Sequence, residues 1–206
     1  GSATSNIATR TITVNTVDQT PVLTTTGSTL HYVSGSTAVV VDSGVTVTDL
    51  DNATLASATA SISAGAHVGD QLGFTNNPAT MGNISGSYNS GTGVLTLTSS
   101  GATATVAQWV QALDAVTFSS TSTTAANRTI SFVVNDGTEN SAADTDTVSI
   151  VGPPVVTTDS GSAAFVAADN TTSTPVIVDS GVVIADAGSF VLQSATVAVT
   201  GNFHAG

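Results

Sequence analysis

The pentapeptide Val41-Asp42-Ser43-Gly44-Val45 returns as Val178-Asp179-Ser180-Gly181-Val182, 137 residues further along the chain. At the same offset Ser57-Ala58-Thr59 answers to Ser194-Ala195-Thr196, and Asp49 to Asp186. Upstream, Pro21-Val22-Leu23-Thr24-Thr25 answers to Pro154-Val155-Val156-Thr157-Thr158 at an offset of 133. The offset grows from 133 to 137 between the two matches, so the second copy carries four extra residues, near Asp169-Asn170-Thr171-Thr172. Repetition on this scale implies units that fold one after another. Residues 1–17 read as the last strand of a preceding unit plus a linker, with Thr11-Ile12-Thr13-Val14 as that strand. Residues 18–152 read as one complete unit, and 153–206 as the N-terminal part of a following, incomplete one.

Within the complete unit the pattern is that of strands. Residues 37–47, Val94-Leu95-Thr96-Leu97-Thr98, Val116-Thr117-Phe118 and Thr129-Ile130-Ser131-Phe132-Val133-Val134 are rich in β-branched side chains. Gly, Asn, Asp and Ser punctuate them at the spacing of a sandwich. Asn89-Ser90-Gly91-Thr92-Gly93 reads as a hairpin turn. One stretch departs from this pattern. Thr105, with Gln108 three residues on, forms a capping box, and Val106, Trp109, Val110 and Leu113 then fall on one helical face. This predicts a short helix at about 105–114, with Trp109 as a plug for the core rather than a stacking platform for a ligand.

Charge limits the partners. Fourteen acidic side chains against two cations, Arg10 and Arg128, give a net charge of −12. Nucleic acid and anionic membrane surfaces, which need clustered Lys and Arg, are excluded. Without cysteine there is no disulfide, thiolate metal site or cysteine nucleophile. No apolar run approaches the length of a membrane-spanning helix, so direct membrane insertion is not expected.

Several short motifs occur in a fixed order. They are Val17-Asp18-Gln19-Thr20-Pro21, Leu30-His31-Tyr32, Val45-Thr46-Val47-Thr48-Asp49-Leu50-Asp51-Asn52, Ile84-Ser85-Gly86-Ser87-Tyr88, Val106-Ala107-Gln108-Trp109 and Arg128-Thr129-Ile130-Ser131-Phe132 with Asn135-Asp136-Gly137. In that order the chain resembles the cadherin-like, immunoglobulin-like tandem repeats of giant bacterial surface adhesins of the repeats-in-toxin type. The resemblance implies an all-β fold of immunoglobulin-like (cadherin-like) Greek-key β-sandwich repeats in tandem, interrupted by the one helix. It also implies a non-catalytic extender or spacer at the bacterial cell surface, supporting cell adhesion or biofilm formation. Its partners would be the neighbouring repeats of the same polypeptide, and calcium would stiffen the joints between them.

If seven sandwich strands alternate in direction, the loops at 49–52 and 135–139 lie at the same pole as the inbound linker. Asp18, Asp49, Asp51, Asp136 and Glu139 then crowd together, and such a cluster needs a cation. Hard carboxylate oxygens select Ca²⁺, with an affinity suited to millimolar extracellular calcium. The second linker, Val151-Gly152-Pro153-Pro154, has no acid, and prolines rather than metal are expected to stiffen it.

Two other functions compete with the spacer. A glycan- or protein-binding module would use exposed loops such as 65–77, but aromatic residues make up only 4% of the chain, too few for a sugar platform. An aspartic protease would use Asp42-Ser43-Gly44 and Asp179-Ser180-Gly181 as facing loops. Only 25 residues follow the second loop, and Asp-Ser-Gly is an ordinary turn sequence. No enzyme activity is expected.

Overall fold

A computed structural model describes residues 1–13, 17–165, 172–186 and 192–201. The extra residues Asp169–Thr171 of the second copy lie outside this set, whereas Thr172 lies within it. Four short strands come first, β1 (Val22–Thr24), β2 (Thr29–Val33), β3 (Val39–Val40) and β4 (Thr46–Thr48). The longer β5 (Ser57–Ala64) and β6 (Asp70–Gly73) follow, then a single-turn helix α1 (Pro78–Met81). Next are β7 (Ile84–Asn89), β8 (Val94–Ser99), helix α2 (Val106–Leu113), β9 (Thr117–Ser120), β10 (Asn127–Asn135) and β11 (Asp144–Val151). In the second copy β12 (Val155–Thr157) pairs with β13 (Val183–Ala185).

Alternation explains the long strands. On β10, Arg128, Ile130, Phe132 and Val134 point inward while the residues between them are half-buried. On β5, Ala58, Ala60 and Ile62 do the same. Period-two burial of this kind forces one face onto a core. Asn89 closes the turn between β7 and β8, accepting the Gly91 N–H on its side chain (2.9 Å) and the Gly93 N–H on its carbonyl (2.8 Å). Gly93 sits there at φ +70°, a conformation that favours glycine.

Helix α2 starts where both halves of a capping box are made. The Thr105 hydroxyl accepts the Gln108 N–H, and the Gln108 side chain accepts the Thr105 N–H. Trp109 lies fully inside, and its indole N–H donates to the Leu55 carbonyl at 3.0 Å. That bond removes the penalty for burying a polar nitrogen, so the ring's area counts fully toward stability.

The main sheet has six strands in the order β2-β11-β10-β5-β8-β7, and a three-stranded sheet runs β3-β9-β6. Leu72 and Phe118 from the smaller sheet join Ile130, Phe132, Leu95 and Leu97 from the larger in one core, together with Trp109 and Leu113 of α2.

This is not the expected all-β, immunoglobulin-like Greek-key sandwich. β2 runs parallel to β11, from Thr29 opposite Thr147 to Val33 opposite Val151, so the large sheet is mixed. The sheets are open, and two helices are part of the fold, which makes it mixed α/β. Alternation identifies a strand but carries no information on its partner or its direction, which is why the sequence pattern did not reveal the parallel pairing. The resemblance to cadherin-like adhesin repeats falls with the sandwich, as does the spacer function inferred from it. Residues 11–13 form no strand, and Ile12 is exposed; Val14 lies outside the described residues.

One strand pair of the first copy recurs in the second. Leu23 faces Val47 across β1 and β4, and Val156 faces Ile184 across β12 and β13, the equivalent positions. Their surroundings differ. Leu23, Val41, Val45 and Val47 are between 1% and 6% exposed, whereas Val156, Val178, Val182 and Ile184 are between 45% and 79% exposed. The latter four, with Leu192 and Val197, line an apolar groove of about 610 Å³.

Candidate functional site

The residues expected at the acidic pole meet through a set of hydrogen bonds. The loop after β4 is built by Asp49, whose Oδ1 accepts the N–H groups of Asp51 (3.1 Å) and Asn52 (2.9 Å). Asp51 reaches the entering segment, where both its oxygens accept the Gln19 N–H at 3.3 and 3.1 Å. Asn52 Nδ2 donates to Asp18 Oδ1 at 3.5 Å. On the third segment, the loop after β10, Asp136 Oδ1 accepts from Thr138 N and Glu139 N. Glu139 Oε2 in turn accepts the Thr20 hydroxyl at 2.7 Å. Segments 18–20, 49–52 and 136–139 are therefore stitched together.

Three oxygens remain without a partner. Asp18 Oδ2, Asp49 Oδ2 and Asp136 Oδ2 are each buried with no hydrogen-bond donor. Asp51 is exposed; residual desolvation, followed by the adjacent Asp49 carboxylate and the charge of Asp18, raises its proton affinity against the Gln19 N–H. A buried carboxylate oxygen with no donor is costly, and the donor set here is hard oxygen only, which fits a calcium-type ion. Among the described residues, however, no three acidic or histidine side chains are gathered closely enough to hold a metal by themselves. A cation at this pole would need backbone carbonyls, the Asn52 side chain or water to complete its shell.

Two inward-facing acids escaped the sequence reading. Asp70 meets Arg128 in a fully buried ion pair, Nε to Oδ2 2.8 Å. Burial alone would raise the Asp70 carboxyl; the Arg128 guanidinium, the Ser120 hydroxyl and the His67 N–H outweigh it and hold the carboxyl below its usual range. Arg128 Nη1 also donates to the Ala126 carbonyl at 2.8 Å, so the pair is well satisfied and structural. The other acid is Asp146 on β11. Both residues carried a signal: Arg128 shares strand parity with Ile130 and Phe132, and Asp146 with Val148 and Ile150.

The two Asp-Ser-Gly loops are built as turns. Asp42 is buried, and its oxygens accept from Thr26 N and Gly44 N. Asp179 accepts from Asp159 N and Gly181 N. Each carboxylate closes a turn within its own copy, as Asp-Ser-Gly commonly does. Among the described residues no helix is long and apolar enough to cross a membrane. Comparison of the chain with protein-family models and with curated proteins gives no match.

Proposed function

We propose that the chain is a non-catalytic, calcium-binding module in which a hard divalent cation ties the entering segment 17–20 to the loops at 49–52 and 136–139. The observation that carries this reading is the trio of buried, partnerless oxygens on Asp18, Asp49 and Asp136, one from each of the three segments. Asp51 holds the Gln19 backbone and Glu139 the Thr20 hydroxyl against the same loops, and both would remain close to the ion. When bound, the cation supplies the positive charge that a chain of net charge −12 lacks at this pole. Loops of this kind bind calcium at about 10⁻⁴ to 10⁻³ M, which suits work outside the cell. The non-catalytic part of the reading is supported by the turn roles of Asp42 and Asp179 and by the enclosure of Trp109.

Thermal unfolding with about 10 mM calcium and with chelator tests the proposal. An affinity in that range predicts stabilisation of roughly 1.4–2.7 kcal/mol by calcium. Asp49→Asn together with Asp136→Asn removes two of the three oxygens and should abolish the gain. An unchanged melting midpoint in the wild-type chain would overturn the proposal.

A further inference from the structure

Among the described residues three acids are buried, Asp42, Asp70 and Asp146, and of these only Asp70 has a cation. Asp42 lies between β3 and β4, and Asp146 on the inward face of β11; they are 4% and 2% exposed. Both are held by the turn between β1 and β2. Thr26 N donates to Asp42 Oδ2 at 2.7 Å, and Ser28 N to Asp146 Oδ1 at 3.0 Å. Gly44 N gives Asp42 a second donor at 2.8 Å. The remaining oxygen, Asp146 Oδ2, is buried and receives no N–H or hydroxyl proton from any other group. Backbone N–H groups two residues apart on one turn thus hold the two buried carboxyl groups side by side, so that each bears on the other's ionisation.

The surrounding groups add only negative charge. Asp144, two residues before Asp146, accepts the Thr25 N–H at 2.9 Å. Asp114, after α2, accepts the Val45 N–H at 2.9 Å. Arg128 is committed to Asp70, and Arg10 is exposed. Two neighbouring buried carboxylates with no cation do not readily both ionise. Asp42, with a donor on each oxygen, is the better anion, and Asp146, with one oxygen unserved, is the better acid.

We propose that Asp146 keeps a proton on Oδ2 and donates it to Asp42, making the pair a pH-operated latch that fastens the β1–β4 edge to the main sheet. Burial, then the charge of Asp42, raises the Asp146 carboxyl to about 6, with the Ser28 N–H acting against them. Burial also works to raise Asp42, but the N–H groups of Thr26 and Gly44 and the Asp146 side chain outweigh it and lower that carboxyl. Between about pH 4 and pH 6 the folded chain therefore holds a proton on Asp146 that the unfolded chain has released. The stabilisation is complete below the ordinary carboxylate value and is lost as pH rises through about 6. Asp42 acts in the opposite sense and withdraws its contribution only at more acid pH.

The test uses the full chain with chelator present, which removes any calcium effect. The wild-type melting midpoint should fall by on the order of 5 °C between pH 5 and pH 7.5. Asp146→Asn, whose amide donates to Asp42 without titrating, should flatten that slope and melt above the wild type at pH 7.5. Should the variant misfold, ¹³C NMR of aspartate-labelled wild type serves instead, with one side-chain carboxyl expected to titrate near pH 6. All carboxyls titrating below about 4.5, or an Asp146→Asn slope equal to the wild type's, would refute the latch. So would calcium stabilisation of the Asp49→Asn/Asp136→Asn chain that disappears on adding Asp146→Asn, because the pair would then hold a cation instead of a proton.

Discussion

Residues 22–24 with 46–48, and 155–157 with 183–185, form the same strand pair in two different environments. In both, a three-residue strand pairs antiparallel with a second, and an Asp-Ser-Gly turn precedes the second strand. The turns match bond for bond. Thr26 N and Gly44 N donate to Asp42, and Asp159 N and Gly181 N donate to Asp179. Yet the first copy is packed into a core and the second presents its valines and isoleucine to solvent. A two-stranded pair is marginal alone in water. Local chemistry sets the shape of such a segment, and its stability comes from what covers it.

That contrast can be broken most severely at the core. Arg128→Met leaves Asp70 buried without its cation and should cost about 3–5 kcal/mol in denaturant unfolding. Hydrogen exchange should then accelerate at residues 22–24 and 46–48 and stay unchanged at 155–157 and 183–185. Equal acceleration in both copies would show that the second depends on the same core.

Paired truncations sharpen the comparison. Leu23→Ala should cost about 2–4 kcal/mol, because it empties a well-packed site. Val156→Ala, at the equivalent but exposed position, should change stability by less than about 0.5 kcal/mol. The smallest expected contrast lies at the turn glycines. A Cβ on Gly44 would stand 2.7 Å from Thr26 Cγ2, whereas on Gly181 it would meet Asp159 Oδ2 at an ordinary 3.4 Å. Gly44→Ala should therefore cost on the order of 1 kcal/mol, and Gly181→Ala nothing measurable. Comparable losses in both variants would contradict the difference in packing.

Some of this was legible in the sequence and some was not. Helix α2 could be read because its signals, the Thr105–Gln108 capping box and the Val106-Trp109-Val110-Leu113 face, lie within eight residues or so of one another. The approach of 18–20, 49–52 and 136–139 to one another followed from counting strand directions. The count itself assumed an antiparallel sandwich that the chain does not form, since β2 lies parallel to β11. The Asp70–Arg128 and Asp42–Asp146 pairs were missed for another reason. Their partners are far apart in sequence, and only the inward parity of Arg128 and Asp146 marked them.

By itself the sequence determined the strand-forming alternation, the turns, the helix cap and the internal repeat. The helix cap and the hairpin turn are settled by interactions within a few residues, and the Asp-Ser-Gly turn recurs in the second copy, where the equivalent apolar residues are exposed. Tertiary structure alone decided which apolar residues are covered, which way β2 runs beside β11, and which carboxylates meet a cation, a proton or each other. Those outcomes depend on groups brought together across tens of residues, where burial strips away water and makes the identity of each neighbour decisive.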